Sequence, residues 1–540
     1  MKALKTPEHT QVLIIGGGIT GLTACLFLLQ QGITPLLIEK HKTTSVHPRS
    51  RGFDIRAMEL FREIGLADRI REAGKALGPA WGILRGDNLM ETLNRSAAKG
   101  KETVTFPTQM AALKKLGELT PEEGARCTQD LAEPILLQAA IDRGAQLFFN
   151  HELIHFHQHE QHVTALVRDR DSGKEYPITA NYMIAADGAK SLIRKTLNIE
   201  TTGPGKIANF LNIYFEADLA SLVKGREFSL FLIDRPGLTG FLTSINNSDR
   251  WVFQLKYNAG QRDDASDYTE PILIDILRKA VGDDTLTIRI INVMPWQLSV
   301  SVASRLQQNR IFIAGDAAHV MTPYGGKGAN TGIQDVHNLA WKLASVLRGN
   351  AGPDLLASYH MERHAIGEFY AFRSGSMATE NGLVNEKMVI ENMKSLIGLP
   401  DYCYESSAIM NGKLAVMAEN TMLDILGLPG TRMPHVWLDT EKQVSSLDLI
   451  KGNFLLIQHT YDHKREAWVS DVCKKLNLPL KFVNISDYPN AATEWCTLLK
   501  EFHEKELILV RPDGFIAWRG VDKGQTDFEV IIKKLLSLTL

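Results

Sequence analysis

Val12-Leu-Ile-Ile-Gly-Gly-Gly-Ile-Thr-Gly21 decides the fold. Val12 to Ile15 is a short, β-branched apolar run of the kind buried on both faces of a parallel sheet. Gly16 permits a tight turn, Gly18 lets the backbone approach a pyrophosphate without a Cβ in the way, and Gly21 permits close packing of helix on strand. The spacing predicts a helix from about Ile19 to Gln31, ended by Gly32, with its first-turn N–H groups and positive dipole end aimed at phosphate. A second strand follows, Thr34 to Glu39. Its terminal acid has the spacing of a carboxylate that accepts hydrogen bonds from an adenosine ribose. Taken by itself, the same turn could be a plain strand–helix connection with Glu39 solvated. Strand, helix, second strand and acid together favour a dinucleotide, and the acid favours FAD or NAD over a carrier with a 2′-phosphate.

Two later segments also bear glycine turns. Met183-Ile-Ala-Ala-Asp-Gly188 ends a strand, Tyr182 to Ala185, and is expected to continue as a helix through Ala189 to Arg194. Alone it is an ordinary turn. Ile311-Phe-Ile-Ala-Gly-Asp-Ala-Ala-His319 reads as a buried strand, Ile311 to Ala314, that delivers Asp316 to a ligand hydroxyl. The loop Thr322-Pro-Tyr-Gly-Gly-Lys-Gly-Ala-Asn330 follows, where Gly325, Gly326 and Gly328 let backbone wrap a ligand edge. A helix is predicted from about Ala329 to Arg348, because Ile333, Val336, Ala340, Leu343 and Leu347 recur with a 3.6-residue period.

In this order and spacing the segments resemble the FAD-dependent aromatic hydroxylases, the single-component flavoprotein monooxygenases typified by para-hydroxybenzoate hydroxylase. The resemblance extends to His47-Pro-Arg-Ser-Arg-Gly-Phe-Asp-Ile-Arg-Ala-Met-Glu59, with Arg49, Gly52, Arg56 and Glu59 in matching places, and to Arg126-Cys-Thr-Gln-Asp-Leu-Ala-Glu-Pro-Ile-Leu137. It implies cofactor contacts from Gly16, Gly18, Ile19, Thr20, Gly21, Glu39, Lys40, Arg49, Arg126, Gln129, Asp187, Gly315, Asp316, Gly326, Gly328, Ala329 and Asn330. Arg56 and Asp187 would sit where NAD(P)H approaches, with Arg194 buttressing Asp187. Pro323 would contact the flavin. The late helix would point its N-terminus at the flavin N1–C2=O2 region, where negative charge gathers on reduction. Two family prolines are replaced here, by Ile55 and Thr322. The plainer readings stand beside these: Arg56 solvated in a loop, and Gln129 a helix-start residue without a ligand. His319 is read as structural rather than as a base, and no catalytic acid or base is assigned.

The resemblance further implies FAD as cofactor, NADH or NADPH as co-substrate, O2, and a small aromatic substrate, phenolic or polyketide-type, hydroxylated through a flavin C4a-hydroperoxide. The cofactor would carry the hard step, while the protein positions the substrate and excludes water. Baeyer–Villiger or epoxidising insertion on the same scaffold is the alternative chemistry, and a catalytically idle flavin-binding scaffold the alternative class. The Trp-x-Trp-x-Ile signature of flavin halogenases is absent.

Bulk properties agree. The chain has 540 residues, which implies more than one domain. Its 60 basic and 62 acidic residues leave a formal net charge of −2, with no field for nucleic acid or an anionic membrane. The five cysteines (Cys25, Cys127, Cys403, Cys473, Cys496) are dispersed, without ligand-like spacing, so no metal is expected and a reducing cytoplasm fits. The apolar run Val12 to Leu29 imitates a membrane span, but its early glycines and the lack of a basic leader argue against anchor and signal peptide.

The expected fold class is α/β: a Rossmann-like FAD-binding domain carrying an inserted antiparallel-sheet substrate domain, then a thioredoxin-like α/β domain. The FAD-binding domain is placed at 1–75, 106–191 and 300–400, the substrate domain at 76–105 and 192–299. A connection occupies 401–434 and the tail domain 435–540. Strands at Phe210–Glu216, Phe228–Ile233, Gly240–Ile245 and Arg250–Tyr257, with a turn at Asn246–Asp249, build the substrate sheet, completed by the segment around Trp81 to Met90. Trp251, Phe253 and Trp296 could line a pocket or be core, and core is favoured. In the tail, Cys473 and Cys496 fall in predicted helices with no CxxC, so a packing or dimer-contact role is preferred to disulfide exchange, and a homodimer is possible.

Overall fold

The computed structural model describes residues 8–80, 82–99, 118–258, 265–392, 398–400, 402–410, 426–500, 502–521 and 523–539. Trp81, the expected boundary at 105/106 and part of the 401–434 connection lie outside them.

The dinucleotide sheet is built from short apolar strands. His9–Ile15 lies between Leu36–Glu39 and Glu175–Ala185, parallel to both, and Ile311–Ile313 adds beyond Glu175–Ala185. Their register sets the site: Ile15 pairs with Ile38 and Ala185, and Ala185 with Ile313. All three glycine turns therefore leave the sheet at one level, at the carboxyl ends of parallel strands where open α/β sheets bind ligands. Helices occur at Ile19–Gln30 and Lys327–Leu347, close to the expected bounds. The helix after Asp187-Gly188 is shorter than expected and starts later, at Leu192–Thr196. Gly188 has φ +80°, and Ser191 caps the helix by accepting from the Arg194 N–H, so the chain stays a turn up to Ser191.

A seven-stranded sheet lies alongside, in the order His319–Val320, Arg289–Ala303, Thr201–Glu216, Arg250–Tyr257, Leu238–Ser244, Leu230–Arg235, Ile83–Arg85. It is antiparallel except for its last pair, which is parallel. The Asn246–Asp249 turn closes a hairpin in which the Asn246 side-chain oxygen accepts from Ser248, Asp249 and Arg250 N–H groups. Alternation divides the faces. Leu211, Ile213, Phe215, Trp251 and Phe253 pack outward with Leu89 and Leu273 of the helices Leu89–Lys99 and Glu270–Val281. Phe210, Phe241 and Trp296 occupy the other face with Tyr324 of the third glycine loop. Trp251 and Phe253 are core, whereas half-buried Trp296 is on the face toward that loop.

The tail runs strand, helix, strand, helix, strand, strand, helix from Phe454–Gln458 to Gln525–Leu535. Its sheet order puts Phe454–Gln458 between Leu480–Asn484, parallel, and Glu506–Val510, antiparallel, with Ile516–Val521 at the far edge. Cys473 and Cys496 pack into separate apolar clusters, consistent with thiols used as core.

Buried ions fasten the tail to the first domain. Arg511, 1% exposed, donates to Glu362 at 2.6 and 2.9 Å and to Asp513 at 2.5 and 3.0 Å. Glu362 also takes Lys342 Nζ at 2.8 Å and Asn338 Nδ2 at 2.6 Å, both from the Lys327–Leu347 helix. Nearby, Arg432 and Arg56 converge on Glu59. Burial alone would raise the Glu59 carboxyl, but these two guanidiniums and the Thr120 hydroxyl outweigh it and hold it at about 2.

His435 gives this seam a pH signature. It is 3% exposed, bonded through Nδ1 to Ser445 Oγ at 2.7 Å, and lowered to about 4 by burial and the Arg432 charge. A folded value below the ordinary 6.5 means that the unfolded chain protonates first as pH falls. The associated stability is complete above 6.5 and is lost between there and about 4. The cost is on the order of 3 kcal/mol. Across that window the melting temperature of the parent is expected to fall more steeply than that of His435→Gln; parallel pH profiles would refute the assignment.

Candidate active site

The first turn is a cradle with no room for side chains. Gly16 has φ +112°, and a Cβ there would run into the Ala186 carbonyl; one on Gly21 would strike the Gly16 carbonyl. Gly18 is different: a Cβ there would meet only Glu133 Oε1, at 3.5 Å, so its backbone faces open space. It is the N-cap of the first helix and supplies no side-chain acceptor, which leaves that helix's leading N–H groups for a ligand. Ile19 is buried behind the turn, and Thr20 seats against Gly315 and Gly332, joining the two long helices. Glu39 accepts the Gly17 N–H through Oε2 at 2.6 Å, and the His41 N–H and Nδ1 through Oε1 at 2.8 and 2.5 Å. Its lone pairs leave further acceptor capacity for a hydroxyl. Lys40 is exposed, and its carbonyl accepts from Arg170 at 2.7 Å.

Asp316 opens onto the same cleft from the third turn, beside Gly328, where a Cβ would lie 3.7 Å from its Oδ1. The surrounding protein raises this carboxyl, against the charges of His319 and Arg49, so Arg49 is its electrostatic neighbour. The loop then reaches Gly326, in the left-handed region at φ +63°, which caps the Lys327–Leu347 helix without a side-chain acceptor. Asn330 Nδ2 donates to Gly326 O at 2.6 Å and its Oδ1 accepts from Asp54 N at 3.0 Å. Ala329 is half-buried in that first turn, and Pro323 is exposed at the mouth of the loop. Two uncapped helix N-termini thus meet at one crevice.

Asp187 contributes the second turn. Burial raises its carboxyl, Oδ2 accepts from Ile193 N at 3.3 Å, and buried Oδ1 has no protein partner. Arg194 does not hydrogen-bond it. Its guanidinium instead ties Ala189 O at 3.0 Å to Ala317 O at 2.7 Å, locking the second turn to the third. Gln129 caps nothing: its backbone N–H donates to Arg49 O at 2.9 Å and its Nε2 to Glu133 Oε1 at 2.6 Å.

Arg56 and Arg126 are not with this group. Arg56, expected at the nicotinamide approach, is 5% exposed, paired with Glu59 at 2.8 Å and donating to Asp513 O at 3.0 Å under the tail. Contacts with the tail at Asp513 and Phe515 contribute to that burial. Arg126 bonds Ile245 O and Gly78 O, at the seam with the seven-stranded sheet rather than along the glycine turns.

Several residues escaped the sequence reading. Asp335, fully buried, accepts from Gly315 N at 3.1 Å, His319 Nε2 at 2.7 Å and Arg363 Nε at 2.9 Å. His319 and Asp335 thus form a buried hydrogen-bonded pair that fixes the Gly315-Asp316 turn. Glu133, 1% exposed and raised by burial, underlies Gly18 and accepts Ser45 N at 2.7 Å. Asp335, Asn338 and Lys342 recur at i, i+3 and i+7, a polar stripe on an otherwise apolar helix that could have flagged a buried network.

The cleft fits FAD by its own chemistry: a turn open only to backbone, two free helix N-termini for pyrophosphate and ring carbonyl, and acids at Glu39 and Asp316 for hydroxyls. The family profile described as "FAD binding domain" matches residues 9–373, and one described as "Aromatic-ring hydroxylase, C-terminal" matches 426–537. This chain belongs to the FAD-dependent aromatic-ring hydroxylases. Among similar members of this hydroxylase family is the tetracenomycin A2 monooxygenase-dioxygenase of Streptomyces glaucescens, 35% identical with 95% of this chain and 94% of that one covered. The 4-methyl-5-nitrocatechol 5-monooxygenase of a Burkholderia species is 33% identical with 97% of each covered. The crystal structure of aklavinone-11 hydroxylase with FAD and aklavinone superposes with a TM-score of 0.84 at 26% identity, covering 99% of this chain and 100% of that one. The hydroxylase is a flavin-dependent oxidoreductase with FAD as its cofactor. Among the described residues, no helix is long and apolar enough to cross a membrane, and no His, Cys, Asp and Glu group is gathered to hold a metal.

Proposed function

We propose that this hydroxylase uses NADH or NADPH and O2 to hydroxylate a phenolic or polyketide-type aromatic ring. The observation that carries the reading is the meeting of three glycine turns and two uncapped helix N-termini beside the aromatic face of the seven-stranded sheet. The names of the relatives, which concern tetracenomycin, nitrocatechol and aklavinone chemistry, support a ring substrate. FAD, when bound and reduced, supplies the activated oxygen.

The chain's own residues do the rest. Gly16, Gly18, Glu39 and Asp316 hold the dinucleotide along its length. Asp187, with its unpartnered buried oxygen, takes a donor from the same ligand or from the nicotinamide co-substrate. The Lys327–Leu347 N-terminus favours negative charge on the reduced ring, an effect worth about 0.3–1 kcal/mol when exposed and more when buried. Phe210, Phe241, Trp296 and Tyr324 form an apolar ceiling that excludes water from the reacting ring. The tail's strand order supports a thioredoxin-like domain whose work is packing.

The test is product mass spectrometry from a panel of hydroxylated rings under labelled O2. One labelled atom in a new ring hydroxyl is expected. A lactone or ester product would replace hydroxylation with ring insertion, and NAD(P)H oxidation unstimulated by any ring would point to an idle flavin protein.

A further inference from the structure

Glu133 stands on the helix Gln129–Asp142, is 1% exposed, and brings its carboxyl to the first glycine turn. A dinucleotide fold keeps the second glycine of that turn bare so that a pyrophosphate can come against its backbone. Chain neighbours aside, Glu133 Oε1 is the only atom among the described residues within 4 Å of the position a Gly18 Cβ would take, at 3.5 Å. Pyrophosphate and carboxyl are therefore neighbours, two acids across one bare glycine.

Both carboxyl oxygens already accept N–H groups. Oε2 takes Ser45 N at 2.7 Å and Oε1 takes Gln129 Nε2 at 2.6 Å. Burial lifts the group above the ordinary carboxylate range; these two bonds and the Arg49 charge pull it down, while the Glu39 charge pushes it up. The other titratable groups around it are engaged or neutral. Asp130, on the same helix, pairs with Arg250 at 3.0 Å, Glu39 holds His41, and His47, on the Ser45 loop, is lowered to about 4 by burial. Among the described residues no cation is ion-paired with Glu133. Two like charges brought together in a buried place do not both stay ionised, and the weaker acid takes the proton. A pyrophosphate diester is by far the stronger acid of the two, so that proton goes to the carboxyl.

We propose that Glu133 is a cofactor-binding residue that takes up a proton when FAD binds and donates the resulting O–H to the pyrophosphate. The inference rests on the first glycine turn being the pyrophosphate seat, and it adds a proton to that seat. A solvent proton forms an O–H bond at Oε1, and no other bond is made or broken. Oε1 still accepts from Gln129 while it donates, since a protonated carboxyl keeps acceptor capacity. Bound Glu133 holds its proton to higher pH than Glu133 of the free protein. FAD affinity is then greatest below the free-protein value and declines about tenfold per pH unit as pH rises toward the bound value.

The experiment is calorimetric titration of the stripped full-length protein with FAD from about pH 5 to pH 8, in two buffers of unlike ionisation enthalpy at each pH, whose difference counts protons taken up. The parent should take up about one proton per FAD within that range, with the matching fall in affinity. Glu133→Gln keeps a neutral donor and should bind FAD with no such uptake and a flat profile, exceeding the parent about tenfold or more at the alkaline end. Binding by the parent without proton uptake overturns the proposal. Equal uptake by Glu133→Gln does so too, because Asp187 or Asp316 would then be the titrating acid. So does binding that requires added magnesium and takes up no proton, which would place a cation between the two acids. If Glu133→Gln retains no FAD, Gln129→Ala reads the same linkage. Loss of its Nε2 donor lifts the free carboxyl, so the fall in affinity should begin at higher pH, and an unmoved profile overturns the proposal. A folded parent that binds no FAD removes the pyrophosphate seat itself, and the proton with it.

Discussion

An Arg511→Ala variant is expected to lose about 3–5 kcal/mol of stability, concentrated at the seam between tail and first domain. The side chain lies among Glu362, Asp513 and the Trp341, Tyr404 and Phe515 rings, and Glu362 is 2% exposed. Truncation strands two carboxylates next to Lys342, whose ammonium burial already lowers to about 8 and which cannot neutralise both. Glu362 sits far below the usual carboxylate range because Arg511 and Lys342 outweigh its burial. Without Arg511 that carboxyl must rise or the seam must open. The effect should reach the flavin, since Lys342 and Asn338 belong to the helix whose N-terminus is proposed to face it. Thermal melts followed by flavin fluorescence should show early release of the cofactor, with new protease sensitivity in the tail. As a control, Lys475→Ala removes an exposed ion pair with Glu529 at 2.7 Å and should cost no more than about 1 kcal/mol. Equal melts for the two variants would contradict the burial argument.

Gly16→Ala is the second large effect. The residue sits at φ +112°, where an L side chain costs about 1–3 kcal/mol, and its added methyl would overlap the Ala186 carbonyl, costing roughly 1–3 more. Relief would push the first strand away from Glu175–Ala185 and spoil the level at which the turns meet. Gly188→Ala makes the comparison clean, because Gly188 has φ +80° but nothing within 4 Å of a Cβ. That variant should suffer the backbone term alone and keep most of its FAD, while Gly16→Ala is isolated depleted of flavin or insoluble. Flavin-to-protein absorbance ratios read both. Similar ratios in the two variants would show that crowding at Gly16 does not matter.

The contrast between these variants also marks what the sequence could disclose. Local chemistry was legible: the glycine turn, the strand that delivers Glu39, the Asp316 loop and the Asn246 hairpin each depend on residues within about ten positions of one another. Trp251 and Phe253 fell to the core because the pleat alternates, which periodicity could anticipate. The buried ion pairs were not legible. Arg511 and Glu362 are 149 positions apart, Arg432 and Glu59 373 apart, and no local pattern names such partners. Arg56 illustrates the consequence. Its motif suggested a ligand-side residue, and only the docked tail, through Asp513 O, shows it as part of a seam. The late start of the Leu192–Thr196 helix turned on one αL glycine and one serine cap, a difference of three residues that lies within the ambiguity of any turn.

The central claim is that the crevice at the ends of the parallel strands is a FAD site. Its most direct test is titration of the stripped protein with FAD, followed by quenching of flavin fluorescence and by calorimetry, with Asp316→Ala alongside. Saturation at one FAD per chain, with affinity weakened in Asp316→Ala, is the expected result. A correctly folded parent that leaves the fluorescence unquenched and releases no heat would contradict it.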